Sequence, residues 1–234
     1  MFEVSVHKLD GDDKVIGLAS VTVDDQFVLK SMKLIKSDKA EGGFFVGMPT
    51  YKTSKTDAEG NSIYKEYYKP ATKEFAQQLK DAVLKSYETG ESVRFREDQK
   101  EEFSTFVEKT NYKDSSTVAN VNIYIKPAGA KAEEGKTVSD FIIDSYRINR
   151  AGDSAKNPGQ LFVAAPSYKA KETDETGKAV FKDICFPTSK EFTKELYGGI
   201  LEKFENLTSD KKSDKEASGN FTKGVDVEQK PKKL

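Results

Sequence analysis

The sequence predicts an α+β protein of two tandem units, each a mostly antiparallel β-sheet followed by a C-terminal helix, with the units pairing as a pseudo-dimer. Three observations carry this expectation. The stretch FFVGMPTYK, beginning at Phe44, returns as LFVAAPSYK, beginning at Leu161. Pro49 and Pro166 stand 117 residues apart, as do Pro70 and Pro187, so the register holds across the copy without a gap. Within each copy, short runs alternating apolar and polar precede one stripe of apolar residues at steps of four. Two copies of this length make a duplicated domain rather than a solenoid, and in a chain of 234 residues each half is long enough to bury its own core.

In chain order, residues 4–9 alternate as a half-buried strand, DGDD is a turn, and residues 15–23 are a second strand. Asp24 and Asp25 make a tight reversal into a third strand at residues 27–35. FFVGM is a short buried strand that ends at Pro49, because proline cannot donate to a ladder. A polar loop with Gly60 at its tip leads to a strand in IYKEYY. Thr72 then caps a helix whose stripe is Phe75, Leu79, Val83 and Tyr87. The second copy repeats the helix with Ser189 as cap and Phe192, Leu196, Ile200 and Phe204 as stripe.

The second copy opens less regularly. VNIYIK (residues 121–126) is assigned to the first strand of the repeat, and FIIDSYRI (residues 141–148) to the third. Between the copies, EDQKEEFSTFVEK gathers Phe103, Phe106 and Val107 on one side of a short amphipathic helix. The chain thus divides into a first copy at residues 1–88, a link at 89–117, a diverged second copy at 118–208, and a charged tail at 209–234 expected to be disordered.

Composition limits the function. Net charge is −1, from 38 basic and 39 acidic residues, so no global field draws in nucleic acid or acidic lipid. No run approaches a membrane span and the N-terminus has no signal-peptide core, which predicts a cytoplasmic protein with no membrane partner. A single cysteine excludes an intramolecular disulfide, and one His with one Cys cannot make a zinc site of the usual ligand set. Cys185 lies at an ordinary strand position far in sequence from His7, the only histidine, so neither a catalytic site nor a metal or cofactor site is expected. AKAEEGKT (residues 130–137) matches a phosphate loop only by chance: Glu133 and Glu134 stand where phosphates would sit, and nucleotide binding at Lys136 is not expected. Asp57 with Gly60, and Asp174 with Gly177, read as turn chemistry. Gly198-Gly199 inside the second helix means either that the helix breaks there or, the preferred reading, that the other unit packs close to its backbone.

The best functional candidates are the repeated pairs Tyr51-Lys52 and Tyr168-Lys169. An aromatic ring beside a cation can stack an unpaired base while the cation meets phosphate.

LASVTVDDQFV, then FFVGMP, then an aromatic-basic-acidic triplet before a proline, then KDAVL in a helix, together resemble the SpoVG family of bacterial septation and sporulation regulators. The resemblance spans nearly all of residues 2–88, and in the second copy is clearest from Leu161 to Glu205. It implies a small β-sheet domain with a C-terminal helix that dimerises, no catalysis, and in some members DNA or RNA binding. The family's strand arginine is matched by Lys65 and Lys182, while Tyr51 and Tyr168 replace the first residue of its Lys-Arg pair. Helix positions typically basic in the family are Ala76 and Gln78 here, and Thr193 and Glu195 in the second copy. Two functions follow as expectations: a regulator that binds single-stranded DNA or RNA weakly through Tyr51, Lys52, Lys65, Tyr168, Lys169 and Lys182, or a protein-interaction module with a protein partner and no nucleic acid. The chain is expected to be a monomer.

Overall fold

The computed structural model describes residues 1–11, 14–113, 115–130 and 139–219. Strands β1 (Phe2–Lys8), β2 (Val15–Val23) and β3 (Phe27–Lys36) form an antiparallel meander. Asp24 and Asp25, at φ of 46° and 57°, make the two-residue reversal whose left-handed turn suits the strands' twist. The buried positions of β3 are Phe27, Leu29, Met32 and Leu34, a spacing that breaks strict alternation between 29 and 32. Ser31 at φ 69° and a register shift between Ala19 and Val21 account for it: a bulge adds one residue and returns Met32 to the core face.

Strand β4 (Phe44–Gly47) pairs with the far end of β3. The chain then leaves the sheet as a separate hairpin of β5 (Thr50–Thr56) and β6 (Ser62–Glu66), followed by the short strand β7 (Tyr68–Pro70). Helix α1 (Lys73–Thr89) starts where Thr72 Oγ1 accepts the Phe75 amide at 3.1 Å and stops at Gly90, φ 76°. Its stripe of Phe75, Leu79 and Val83 is buried, as the sequence predicts.

The link and the start of the second half differ from expectation. Residues 101–109 form no helix: they are strand β9 (Glu101–Lys109), preceded by the short β8 (Val93–Phe95) on the outer edge of β1. Pairing of the whole of β9 with β10 (Thr117–Pro127) turns Phe103 and Val107 to one face, which overrides the helical spacing of Phe103, Phe106 and Val107. β10 corresponds to β2 and not to the first strand, because Ile125 stands opposite Phe141 of β11 (Phe141–Arg150) as Val23 stands opposite Phe27. The first strand of the second half is therefore β9. The remaining elements follow the first half: β12 (Leu161–Ala164), a hairpin of β13 (Ser167–Thr173) and β14 (Ala179–Asp183), β15 (Cys185–Pro187), and α2 (Lys190–Gly219), capped by Ser189 Oγ at 3.1 Å from the Phe192 amide. Helix α2 continues through 209–219, where disorder was expected, and residues 220–234 of that tail lie outside the described residues. Gly198 and Gly199 neither break α2 nor pack closely: a Cβ built on either meets nothing within 4 Å.

Each half lends a strand to the other's sheet. β7 pairs antiparallel with β11, Pro70 opposite Phe141, and β15 pairs with β3, Pro187 opposite Phe27. The flanking bonds repeat too: the Ala71 amide donates to Asp140 O and the Thr188 amide to Gln26 O, both at 2.8 Å. α1 lies on the sheet of β1–β3 and α2 on that of β9–β12. Side chains from both halves join one hydrophobic core. Phe75 of α1 meets Phe141 at 4.9 Å between ring centroids, and Phe27 meets Phe103 at 5.4 Å. Burying such a ring contributes up to about 3 kcal/mol, and the edge-on Phe75–Phe141 pair adds about 1 kcal/mol. The architecture is α+β, as expected.

Candidate functional site

The predicted residues fall on the two hairpins that stand apart from the main sheets. In the first arm Tyr51 is opposite Lys65, and Lys52 opposite Tyr64. In the second, Tyr168 is opposite Lys182, and Lys169 opposite Phe181. Successive residues of a strand point to opposite faces. Each arm therefore has a Tyr51/Lys65-type face and a Lys52/Tyr64-type face, and the four lysines do not share one surface. The tips are turns, as expected: Asp57 Oδ1 accepts the Asn61 amide at 2.8 Å, Asp174 Oδ1 accepts the Lys178 amide at 2.9 Å, and Gly60 and Gly177 sit at φ 85° and 78°. The Asn61 backbone amide foremost, with the Asn61 side chain and the Glu59 and Gly60 amides, holds the Asp57 carboxyl below the usual carboxylate range.

On the Tyr51/Lys65-type faces Tyr51 and Lys182 are engaged, while Tyr168 is 41% exposed. The Tyr51 ring lies 4.8 Å from that of Tyr67 and is half-buried. Burial, then the nearby Asp144 charge, pushes its phenol up, against the pull of Arg147. Tyr51, Tyr67, Arg147, Asn149 and Pro166 line a cleft of about 310 Å³ between the first arm and the second half's sheet. Burial pushes the Asp144 carboxyl up, against the pull of Lys69 and, less, of Lys65. Lys182 is ion-paired to Glu172, which raises its pKa.

The opposite faces are open. Tyr64 is 62% exposed and Phe181 63%, each set across from an exposed lysine, Lys52 and Lys169. The sequence reading missed both rings. Their signal was the repeat itself, Ile63-Tyr64-Lys65 against Val180-Phe181-Lys182, in which an aromatic residue is kept at a position that the turn and the core do not require.

Cys185 is buried and its thiol is pushed well up by burial, then by Asp183. A thiol held in that form is a poor nucleophile. His7 is an exposed strand residue. Among the described residues no group of three or more His, Cys, Asp or Glu could hold a metal ion, and no helix is long and apolar enough to cross a membrane. Lys136 and its loop lie outside the described residues.

A second polar cluster sits at the seam of the halves. The Met1 ammonium donates to Asp24 at 2.7 Å, Asp24 accepts the Glu101 amide at 2.6 Å, and Arg96 pairs with Asp140 at 2.5 Å. Among the described residues, no donor reaches one buried carboxylate oxygen on each of Glu101 and Asp140, and the two carboxyls lie close enough to share a proton. Burial first, and the Asp140 charge second, push the Glu101 carboxyl up to about 7.

Comparison with known proteins agrees with the first half of the fold. The SpoVG family profile matches residues 1–89. Relatives carrying the septation protein SpoVG name include one from Macrococcus caseolyticus, 33% identical over 91 residues, which are 39% of this chain and 71% of that protein. Another, from Archaeoglobus fulgidus, is 33% identical over 89 residues, 38% of this chain and 94% of the relative. A third, from Lachnospira eligens, is 33% identical over 91 residues and is covered to 93%. The chain belongs to the SpoVG family.

Proposed function

We propose that the chain is a non-enzymatic, cytoplasmic regulator of the SpoVG kind, a monomer whose duplicated halves pair as a pseudo-dimer, and that its two arms hold single-stranded DNA or RNA weakly. The reciprocal pairing of Pro70 with Phe141 and of Pro187 with Phe27 supports the pseudo-dimer, because it is the relation a two-fold axis would produce between subunits. The observation that carries the binding function is the exposed ring facing a lysine on each arm, Tyr64 across from Lys52 and Phe181 across from Lys169. A ring of this kind stacks a base of any identity, which contributes about 1–3 kcal/mol per base, and the lysine meets the adjoining phosphate. Weakness follows from a net charge of −1 and from the ion pair that occupies Lys182.

The test is fluorescence anisotropy with a labelled oligonucleotide at low salt, comparing the protein with a Tyr64→Ala/Phe181→Ala variant. The expected result is weak binding that the double substitution lowers at least tenfold; equal binding by the two proteins would refute it. A second reading, a protein-interaction module with no nucleic acid, is favoured by the ion pair of Lys182 with Glu172, which spends a cation that phosphate would need. Absence of any binding at low salt selects it.

A further inference from the structure

The two halves repeat the backbone around the root of each arm but not the side chains there. The Tyr67 amide donates to Pro49 O and the Ile184 amide to Pro166 O, both at 2.9 Å. Arg147 stands opposite Ala164 as Lys33 stands opposite Gly47, and Asn149 stands opposite Phe162 as Ile35 stands opposite Phe45. At these equivalent positions one side carries Tyr67, Arg147 and Asn149, and the other Ile184, Lys33 and Ile35. A second ring and a side-chain amide are therefore present on one side only.

The cleft of about 310 Å³ between the first arm and the second half's sheet is built from the first of these sets. The rings of Tyr51 and Tyr67, 4.8 Å apart, form one wall. Ser145 Oγ donates to Tyr67 O at 2.8 Å and ties that wall to β11. Asn149 Oδ1 accepts the Thr117 hydroxyl at 2.9 Å, so its amide nitrogen remains to donate. Among the described residues that line the cleft, Arg147 carries the only charge. It is exposed, and among the described residues no hydrogen bond or ion pair holds its guanidinium. Burial pushes the phenols of Tyr51 and Tyr67 up, while the Arg147 charge pulls both down. Asp144 acts on Tyr51 as well, but it does not line the cleft, and Lys69 and Lys65 pull on it.

We propose that this cleft binds a nucleoside monophosphate, with the base against the Tyr51 and Tyr67 rings and the phosphate on Arg147 and Asn149. Each part of the ligand answers a part of the lining. The paired rings offer a π surface that accepts a planar base of any identity. A guanidinium without a partner presents a planar fork of donors that matches two phosphate oxygens at once. The volume lies at the small end of the roughly 300–1,000 Å³ of small-molecule pockets, which suits one nucleotide rather than several. The same moiety occurs as a free nucleotide and at the 5′ end of a phosphorylated strand. Tyr64 and Phe181 lie in neither wall, so the cleft and the outer faces of the arms bind, or fail to bind, independently.

The experiment is isothermal titration of the full chain with AMP, adenosine and inorganic phosphate at low salt. AMP should bind at least tenfold more tightly than adenosine or phosphate. Arg147→Gln, at an exposed position that leaves the core intact, should weaken AMP binding at least tenfold. Tyr67→Ile, which installs the residue of the other half, should weaken it at least threefold. Lys33→Gln and Tyr64→Ala/Phe181→Ala should leave it unchanged. AMP binding no tighter than that of phosphate alone overturns the proposal, as does equal AMP binding by Arg147→Gln and the parent, or a loss in Lys33→Gln as large as that in Arg147→Gln. Competition separates the two sources of the moiety. Displacement of AMP by a 5′-phosphorylated oligonucleotide but not by its 5′-hydroxyl form assigns the cleft to a strand end, and displacement by neither assigns it to the free nucleotide. Displacement by both alike overturns the proposal, because the cleft would then not read the terminal phosphate.

Discussion

Pro70 of β7 stands opposite Phe141 of β11, so a strand that ends the first half's sheet-forming segment is hydrogen-bonded into the second half. Phe141 is fully buried and touches rings from β1, β7 and α1: Phe2 at 6.1 Å, Tyr68 at 6.0 Å and Phe75 at 4.9 Å. Phe141→Ala should therefore cost about 3–5 kcal/mol, the range for losing a large core ring. Urea denaturation of both proteins, followed by circular dichroism, measures it. With one shared core, unfolding should remain a single transition; two separated transitions would mean that the halves are stable independently.

The two classes of lysine should behave differently. Lys52 and Lys169 stand across from open rings, whereas Lys65 stands across from the half-buried Tyr51 and Lys182 pairs with Glu172. Lys52→Ala/Lys169→Ala should weaken oligonucleotide binding and flatten its salt dependence, while Lys65→Ala/Lys182→Ala should leave both nearly unchanged. Two phosphate contacts give a log–log salt slope of about −1.4 on a single strand. Anisotropy titrations at several salt concentrations measure the slope, and a value near −3 would mean that all four lysines engage phosphate.

Stability should fall as pH rises from about 5 to about 8. Glu101 in the folded chain titrates at about 7, above its ordinary 4.5. Between those values the folded state holds a proton that the unfolded state has released, so folding is favoured at the lower pH and the advantage is lost as the carboxyl ionises. Asp140 shifts in the same direction, by burial, against the pull of Arg96. Glu101→Gln replaces the acid with a neutral group of the same shape and should remove most of this fall, raising Tm at pH 8 by about 3 °C. Thermal melts at pH 5, 6.5 and 8 check it; a variant that melts below the parent at pH 8 would contradict it.

Gly198 should be replaceable with profit to stability. It lies inside α2, where glycine is less favourable than alanine by about 0.5–1 kcal/mol, and its Cβ would enter open space. Gly198→Ala is expected to raise stability by that amount in the same urea assay.

The constant spacing of Pro49 with Pro166 and of Pro70 with Pro187 made the repeated order of elements legible in the sequence, and the caps Thr72 and Ser189 fixed both helix starts, because these are local choices of backbone geometry and hydrogen-bond donor. The turns at Asp57 and Asp174 were legible for the same reason. Residues 101–109 were not: Phe103, Phe106 and Val107 satisfy a helical stripe as well as a strand, and only pairing with β10 decided between them. The arms divide in the same way. The residues at Tyr51, Lys52, Lys65 and their repeats could be named from the sequence, but which of them face solvent depends on cross-strand register, which put Lys52 with Tyr64 and gave Lys182 to Glu172. The exchange of β7 and β15 between the halves lay furthest from reach, since Pro70 and Phe141, or Phe27 and Pro187, are joined by tertiary pairing across long sequence separations that no local pattern encodes.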